Sequence, residues 1–326
     1  MTALALTLLL QGAAGAESLL VVEKAAECLA AYDPATGRAL WSVRVGTKPH
    51  EMALAADGRT AYVTNYGVDN FADEAPGGHT ITIVDLVRRE SRGEIDLGET
   101  RRPHGIEVGR SGRLYVSADH SPSLLVVDPA ARAVVRRYPV GPSLPHMVAV
   151  SRDEKRAFTA NSGSASVSVV ALDRDEPARR IEIGGVPMGF EWSLGGGRLF
   201  ATNRTGNALV VIDPDTARVV ERVEIPGQPV RLRLAPDGVH LLVSTIEAGD
   251  LVVVDTRNWR IVQRFHAGAR AEGVAVDGAG RFGYVSSQNE DKIVKFSLAD
   301  WKPVLEIRTR ARPDPVALVS IPAPVP

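Results

Sequence analysis

The chain has 326 residues, of which 44% are hydrophobic and 24% charged, and its formal net charge is −1. These values are typical of a globular protein. Without a strong basic field, binding to nucleic acid or to anionic membranes is not expected. The single cysteine, Cys28, excludes an intramolecular disulfide and a cysteine-based zinc site.

The first 16 residues predict a signal peptide. Their apolar run ends in the small residues Ala14, Gly15 and Ala16, which is typical of a secretory signal cleaved before Glu17. The run is too short to span a membrane as a helix, and no later segment approaches one. We therefore expect a periplasmic or secreted protein without a transmembrane segment.

Three apolar segments follow, at 18–24, 27–33 and 38–45, and each predicts a strand. From residue 49 onward a short pattern recurs, usually headed by proline. Its first residues are Pro49, Pro103, Pro145, Pro187, Pro229, Ala271 and Pro313. The spacing is 42 residues throughout, except that the first interval is 12 residues longer. A period this strict indicates one supersecondary unit copied many times.

The unit at 229–268 shows how each copy folds. Its strand-like segments are 230–235, 240–245, 250–255 and 259–265. They are rich in β-branched residues and are separated by turn residues such as Pro236, Asp237 and Gly238. Four short antiparallel strands per period of about 40 residues are the signature of a propeller blade.

Seven copies predict an all-β, seven-bladed propeller. The last copy, 313–321, contains only an inner strand, so the seventh blade must be completed by the three N-terminal strands. We expect a single propeller domain over 17–322, followed by a short tail at 323–326.

Residues 61–65 read Ala-Tyr-Val-Thr-Asn, and weaker forms of this phrase occur at 114–117, 158–161, 200–203 and 283–286. With the Pro-His-Gly-Ile at 103–106, the chain resembles the YVTN-repeat seven-bladed propellers from about residue 18 to 321. The resemblance implies the propeller fold and an exported protein. Related propellers include haem- and copper-carrying redox proteins, lactonases and a periplasmic DNA-binding member, so no single activity is implied.

Two repeat positions are expected to ring one mouth of the central channel, because the first strand starts where the second ends. The residue after the repeated proline is, in order, His50, His104, His146, Met188, Val230, Glu272 and Asp314. The residue that ends the second strand is Lys24, Asn65, Asp119, Asn161, Asn203, Thr245 or Gln288. Ligands of closed β architectures commonly bind at such mouths.

The histidines of three consecutive blades, His50, His104 and His146, form a candidate metal site. Glu272 and Asp314, across the ring, could add oxygen ligands or orient a bound group. Two alternatives remain open: a polar pocket for a small ligand, and purely structural histidines. Among the second-strand residues, Asn65, Asn161 and Asn203 suit either local turn bonding or a ring of amides facing a ligand, and Asp119 holds the same position.

The 12 extra residues form a long loop at 66–79, which should overhang the same mouth. It offers acidic residues and His79, and the equivalent loop of the next blade offers His120. Such a loop is either a ligand-binding lid or a solvated insertion. Nearby cations make an anionic ligand conceivable; they are Lys48, Arg102, Arg231, Arg270 and Arg312.

The sequence contains no phosphate-binding loop, nucleophile elbow, haem-attachment motif or zinc-protease motif. We therefore expect an exported binding or scaffold protein that takes a small molecule or a protein partner at the mouth. A monomer is expected. The alternative is a metal- or tetrapyrrole-dependent enzyme or redox accessory that uses the mouth histidines, with a metal ion as the candidate cofactor.

Overall fold

The computed structural model describes residues 17–70, 72–141 and 144–323. These residues form seven four-stranded antiparallel sheets arranged in a ring, and the described chain contains no helix. The all-β, seven-bladed propeller expected from the repeat is confirmed. The signal peptide proposed for residues 1–16 lies outside the described residues. No helix in the described part of the chain is long and apolar enough to cross a membrane.

We number the blades from the first complete copy of the repeat. Blade 1 contains β4 (Pro49–Leu54), β5 (Thr60–Asn65), β6 (Thr80–Asp85) and β7 (Glu90–Asp96). Blade 2 contains β8 (Pro103–Val108), β9 (Leu114–Ala118), β10 (Ser123–Asp128) and β11 (Ala133–Pro139). Blade 3 contains β12 (Pro145–Val150), β13 (Arg156–Asn161), β14 (Ser166–Ala171) and β15 (Arg179–Glu182). Blade 4 contains β16 (Pro187–Trp192), β17 (Leu199–Asn203), β18 (Ala208–Asp213) and β19 (Arg218–Glu224).

The remaining blades follow the same plan. Blade 5 contains β20 (Pro229–Leu234), β21 (His240–Thr245), β22 (Asp250–Asp255) and β23 (Arg260–His266). Blade 6 contains β24 (Ala271–Val276), β25 (Phe282–Ser287), β26 (Lys292–Ser297) and β27 (Pro303–Arg308). Blade 7 joins β28 (Pro313–Ser320) to β1 (Glu17–Glu23), β2 (Cys28–Tyr32) and β3 (Ala39–Arg44).

The ring is closed as the sequence predicts, because the last strand pairs with the first. β28 runs antiparallel to β1, with Leu318 opposite Leu19 and Ala317 opposite Leu20. Because the two strands pair, the junction leaves no unpaired strand edge between them. Blade 7 is therefore a four-stranded sheet like the blades that are built from one continuous segment.

The hydrophobic core is divided among the seven interfaces between neighbouring blades. Each buried apolar cluster combines side chains from two adjacent sheets. The second and third strands of each blade are buried over most of their length, whereas the fourth strands are mostly exposed and have at most one buried residue each. Apolar packing therefore holds blade to blade and leaves the channel lining free to be polar.

Tight turns support the inner hairpins. Gly238 adopts a φ of +71°, a conformation that L-residues seldom take, and glycine recurs at this position in most blades. Blade 3 has Glu154 there instead, with a φ of +52°. Its carboxylate accepts hydrogen bonds from the backbone N–H and the hydroxyl of Ser111 on blade 2, and these contacts stabilise the unusual backbone.

Candidate functional site

The mouth position, the residue after the repeated proline, lies where the innermost strand departs from regular pairing. In blades 1 to 6 the register with the second strand shifts between the first and fourth residues of the inner strand. The second residue is therefore released from the ladder. Its side chain then projects from an interrupted segment at the end of the channel.

Hydroxyl groups hold this interrupted segment in place. Thr64 accepts the backbone N–H of Glu51 at 2.9 Å and donates to the carbonyl of His104 on the next blade at 3.1 Å. Ser117 does the same for Gly105 and for the carbonyl of His146, and Thr202 and Ser244 repeat the pattern. Four mouth residues, His104, His146, Val230 and Glu272, are thus positioned by a hydroxyl of the preceding blade.

The three mouth histidines form a stack. The ring centroids of His50 and His104 lie 3.9 Å apart, and those of His104 and His146 lie 3.6 Å apart. The edge of Tyr66 contacts the first two rings, at centroid distances of 5.2 and 5.5 Å. The expected convergence of imidazoles from consecutive blades is therefore present in the structure.

The two outer histidines have carboxylate partners, whereas the central one has none. Nδ1 of His50 lies 3.2 Å from Oε1 of Glu51, and Nδ1 of His146 lies 3.2 Å from Oδ1 of Asp119. The Tyr66 hydroxyl donates to the other Asp119 oxygen at 2.6 Å. His104 is 0% exposed, and neither of its ring nitrogens has a hydrogen-bond partner.

Burial keeps two of these imidazoles neutral at ordinary pH. It lowers the pKa of His50 and of His104 well below the usual value, and the charges of Lys24 and Arg231 lower both further. A neutral imidazole offers one donor and one acceptor, and its bare nitrogen is a metal ligand. One ligand atom each from His50, Glu51 and His104 lie within 4.8 Å of one another, a spacing that could hold a metal ion.

A network of buried charges lies beside the histidines. Arg231 pairs with Glu51, and its guanidinium is 3.9 Å from Asp314. Arg270 pairs with Glu272 at 3.1 Å. Burial raises the pKa of Asp314 and of Glu272, because the surrounding protein solvates their charge poorly.

Lys24 belongs to this network through longer-range interactions with Asp314 and Glu272, without a close contact. It is only 5% exposed, and its ammonium makes no hydrogen bond or ion pair within the described chain. Burial lowers its pKa, although the charges of Asp314 and Glu272 act in the opposite direction. The ammonium Nζ is not fully enclosed by protein, so an anionic partner can reach it.

These side chains line a mouth cavity of about 160 Å³. Lys24, the three histidines, Arg204, Arg231, Glu272 and Asp314 belong to its wall. The 66–79 loop contributes Tyr66, Asp69 and Asn70. The structure therefore brings together five of the predicted site residues, which are His50, His104, His146, Glu272 and Asp314.

The 66–79 loop is anchored over the mouth. Asp69 forms ion pairs with Lys48 at 3.0 Å and with Arg312 at 3.1 Å, so it connects blades 1 and 7. The buried Arg102 donates to the carbonyls of Asp73 and Ala75. These contacts fit the covering loop that the sequence suggested better than they fit a freely solvated insertion.

Other predicted site residues lie outside the mouth cavity. The Asn65 amide bonds Thr80, Thr82 and Glu94, and the Asn161 amide bonds Ser166 and Ser168. The Asn203 amide donates to the carbonyls of Ile183 and Gly184, in the segment that connects blade 3 to blade 4. These bonds correspond to the local turn role, which was one of the two alternatives for this position.

The remaining three lie at different distances from the mouth. Asp119 acts through its contact with His146, and His120 lines a neighbouring cleft that also includes His146. The imidazole of His79 is half-exposed and lies 3.9 Å from Asp96, so it does not face the cavity.

Glu51 and Arg204 were not predicted at the mouth, whereas Lys24 and the loop that begins at Tyr66 were expected there without an assigned role. One signal was available in the repeat. The position two residues after the repeated proline is small in three blades, and Glu51 and Arg231 are the charged exceptions.

The fold and the polar mouth together define a seven-bladed β-propeller with a candidate ligand site at one end of its channel. The chain belongs to the YNCE-like β-propeller family, whose model matches residues 92–281. The YVTN-repeat assignment stays a prediction, because the matching model is a different one. No curated protein sequence matches the chain.

Solved structures show the same fold at low sequence identity. Hydrazine synthase from Kuenenia stuttgartiensis is 22% identical with a TM-score of 0.71, and the alignment covers 84% of this chain and 91% of that one. The Pseudomonas aeruginosa periplasmic gluconolactonase PpgL is 19% identical with a TM-score of 0.76, covering 94% and 99%. A functionally unknown protein from Desulfotomaculum acetoxidans is 14% identical with a TM-score of 0.77, covering 93% and 98%. These similarities describe the fold alone.

Proposed function

We propose that this protein is an exported binding propeller that takes a small anionic molecule into the mouth cavity. The observation that carries the proposal is Lys24, a buried residue whose ammonium lacks a partner. Arg204, Arg270 and Arg312 line the same cavity, which adds further positive charge. Support for export comes only from the apolar segment at residues 1–16.

The balance of charge in the cavity favours an anionic ligand. Five basic residues and three acidic residues line the cavity, and Glu51 is paired with Arg231 beside it. With two histidines held neutral, the lining has more basic than acidic side chains, five against three. An anion that reaches Lys24 would form a buried charge-assisted contact, which is stronger than an exposed one.

The test compares the wild-type protein with Lys24→Met in thermal unfolding against acetate, lactate, phosphate and a neutral amide. We expect at least one anion to stabilise the wild type, by about 2.7 kcal/mol at one hundred times its Kd. Lys24→Met should lose this stabilisation while unfolding at the same temperature or higher. Lys302→Met, which changes an exposed lysine, should respond like the wild type. Equal anion effects in wild type and Lys24→Met would overturn the proposal.

A metal- or tetrapyrrole-dependent role is the second candidate function. The observation that favours it is His104, whose two buried ring nitrogens lack partners next to the donor atoms of His50 and Glu51. A metal ion bound there would supply a Lewis acid or a redox centre beside the anion site.

Metal analysis of untagged protein tests this second candidate. We expect about one zinc or copper ion per chain in the wild type and loss of that ion in His104→Gln. His266→Gln, at an exposed histidine of blade 5, is the matched control. A wild-type protein that retains no metal, both as purified and after incubation with zinc and with copper, would reject this candidate.

A further inference from the structure

A second cleft of about 290 Å³ adjoins the mouth cavity. The two spaces share His146, Met188 and Arg204 as lining residues. Unlike the mouth cavity, this cleft is mainly apolar, and Leu144 and Val186 form part of its wall. The molecule therefore places a charged compartment next to an apolar one.

The repeat shows that this apolar compartment is confined to one side of the ring. The residue before the repeated proline, here called the rim position, is Lys48, Arg102, Leu144, Val186, Gln228, Arg270 or Arg312 in blades 1 to 7. It is polar or charged in five blades and apolar only in blades 3 and 4. At the mouth position next to it, blade 4 carries Met188 and blade 5 carries Val230.

Leu144 presents its side chain at this cleft despite an unfavourable backbone. Its φ is +49°, in a region that L-residues other than asparagine and aspartate rarely occupy. The rim residues of most other blades share this conformation, including Lys48 at +46° and Arg270 at +61°. The same backbone geometry thus displays charge on one side of the mouth and a 37% exposed leucine on the other.

From these observations we infer that the ligand is a carboxylic acid with an apolar chain or ring. Its carboxylate pairs with Lys24 and the arginines of blades 6 and 7, and its apolar body lies in the cleft beside Leu144. The inference rests on the proposed anion binding and extends it to a substrate class. A carboxylate suits the mouth because it is anionic where basic side chains outnumber acidic ones and because it forms bidentate bonds with arginine.

Calorimetric titration with butanoate, octanoate and octan-1-ol tests the inference on the wild-type protein. Each methylene buried in the cleft should tighten binding about fourfold. We therefore expect octanoate to bind at least about tenfold more tightly than butanoate, even when part of its chain stays in water. Octan-1-ol has the same chain without the charge and should bind more weakly than octanoate.

Leu144→Asn separates the apolar compartment from the charged one. Asparagine tolerates a positive φ and is similar in size to leucine, so the variant should fold. The ratio of octanoate to butanoate affinity should fall severalfold in Leu144→Asn and remain unchanged in Leu194→Asn, at an exposed leucine in a turn of blade 4. Equal affinity of the wild type for both acids would overturn this inference and leave anion binding intact. Binding of neither acid would overturn it together with carboxylate binding at Lys24.

Discussion

Glu107, on the inner strand of blade 2, shows how burial changes the pKa of one residue. It lies three residues beyond His104 on β8, about 10 Å farther along the strand. There it lines a separate cavity of about 330 Å³, which is neither the mouth cavity nor the apolar cleft. Burial raises its pKa to about 8, and the charge of Glu191 acts in the same direction. The Val150 N–H, which donates to Oε2 at 2.9 Å, opposes the shift only in part.

This raised pKa predicts a pH-dependent cost of folding. Between pH 4.5 and 8 the folded protein keeps a proton on Glu107 that the unfolded chain releases, so stability falls as the pH rises through this window. Glu107→Gln removes the titrating group and keeps a side-chain acceptor for Val150. We expect the variant to be more stable than the wild type by about 2 kcal/mol at pH 8, after allowing for partial exposure, with little difference at pH 4.5.

Urea unfolding of both proteins at the two pH values measures the effect. Glu224→Gln, at an exposed glutamate on β19, serves as the control and should show no pH-dependent difference. A gain in Glu107→Gln that is the same at pH 4.5 and pH 8 would show that the change has another cause.

At the scale of the strand, each copy of the repeat places one side chain, that of the mouth position, at the end of the channel. The interrupted inner strand releases the mouth residue, and the hydroxyl in the second strand fixes its backbone. This gives a physical role to the threonine or serine that recurs as the third letter of the Tyr-Val-Thr-Asn phrase, as at Thr64 and Ser117. Blade 3 differs, since Ala160 holds this position and has no hydroxyl.

The strand framework is repetitive, and only the presented side chains change from blade to blade. The sequence revealed these periodic positions because proline, glycine and hydroxyl residues recur at constant spacing. It did not reveal which bonds the hydroxyls make, since their partners belong to two different blades.

At the scale of the whole molecule, the ring depends on the pairing of its two ends. β28 supplies the inner strand of blade 7, and Val316 lies in the apolar cluster between blades 6 and 7. β28 also carries Asp314, which belongs to the mouth. The pairing of β28 with β1 therefore both closes the ring and places Asp314 at the mouth.

Removing residues 313–326 should destabilise the whole propeller. The deletion uncovers the edge of β1 and opens two apolar interfaces, so the midpoint of thermal unfolding should fall by about 10 °C or more. Circular dichroism or calorimetry measures this midpoint. Removing residues 323–326 alone should change it little. Unchanged unfolding of the longer deletion would contradict the role assigned to closure.

The sequence by itself determined the number of blades, the strand order and the closure of the ring. These follow from local information, because strand periodicity and turn residues act over a few positions and repeat every 42 residues. It also identified three histidines, Glu272 and Asp314 as members of one mouth, since equivalent repeat positions are related by the rotation of the ring.

Only the tertiary structure decided how these groups meet. Arg231 and Glu51 are 180 residues apart and form an ion pair, and Lys24 lies in the same cavity wall as Arg231 without a close contact of its own. The stacking of the imidazoles and the junction of a charged cavity with an apolar cleft likewise depend on side chains from several blades. Contacts across a closed ring are set by packing and charge compensation among distant residues, and local sequence patterns do not encode them.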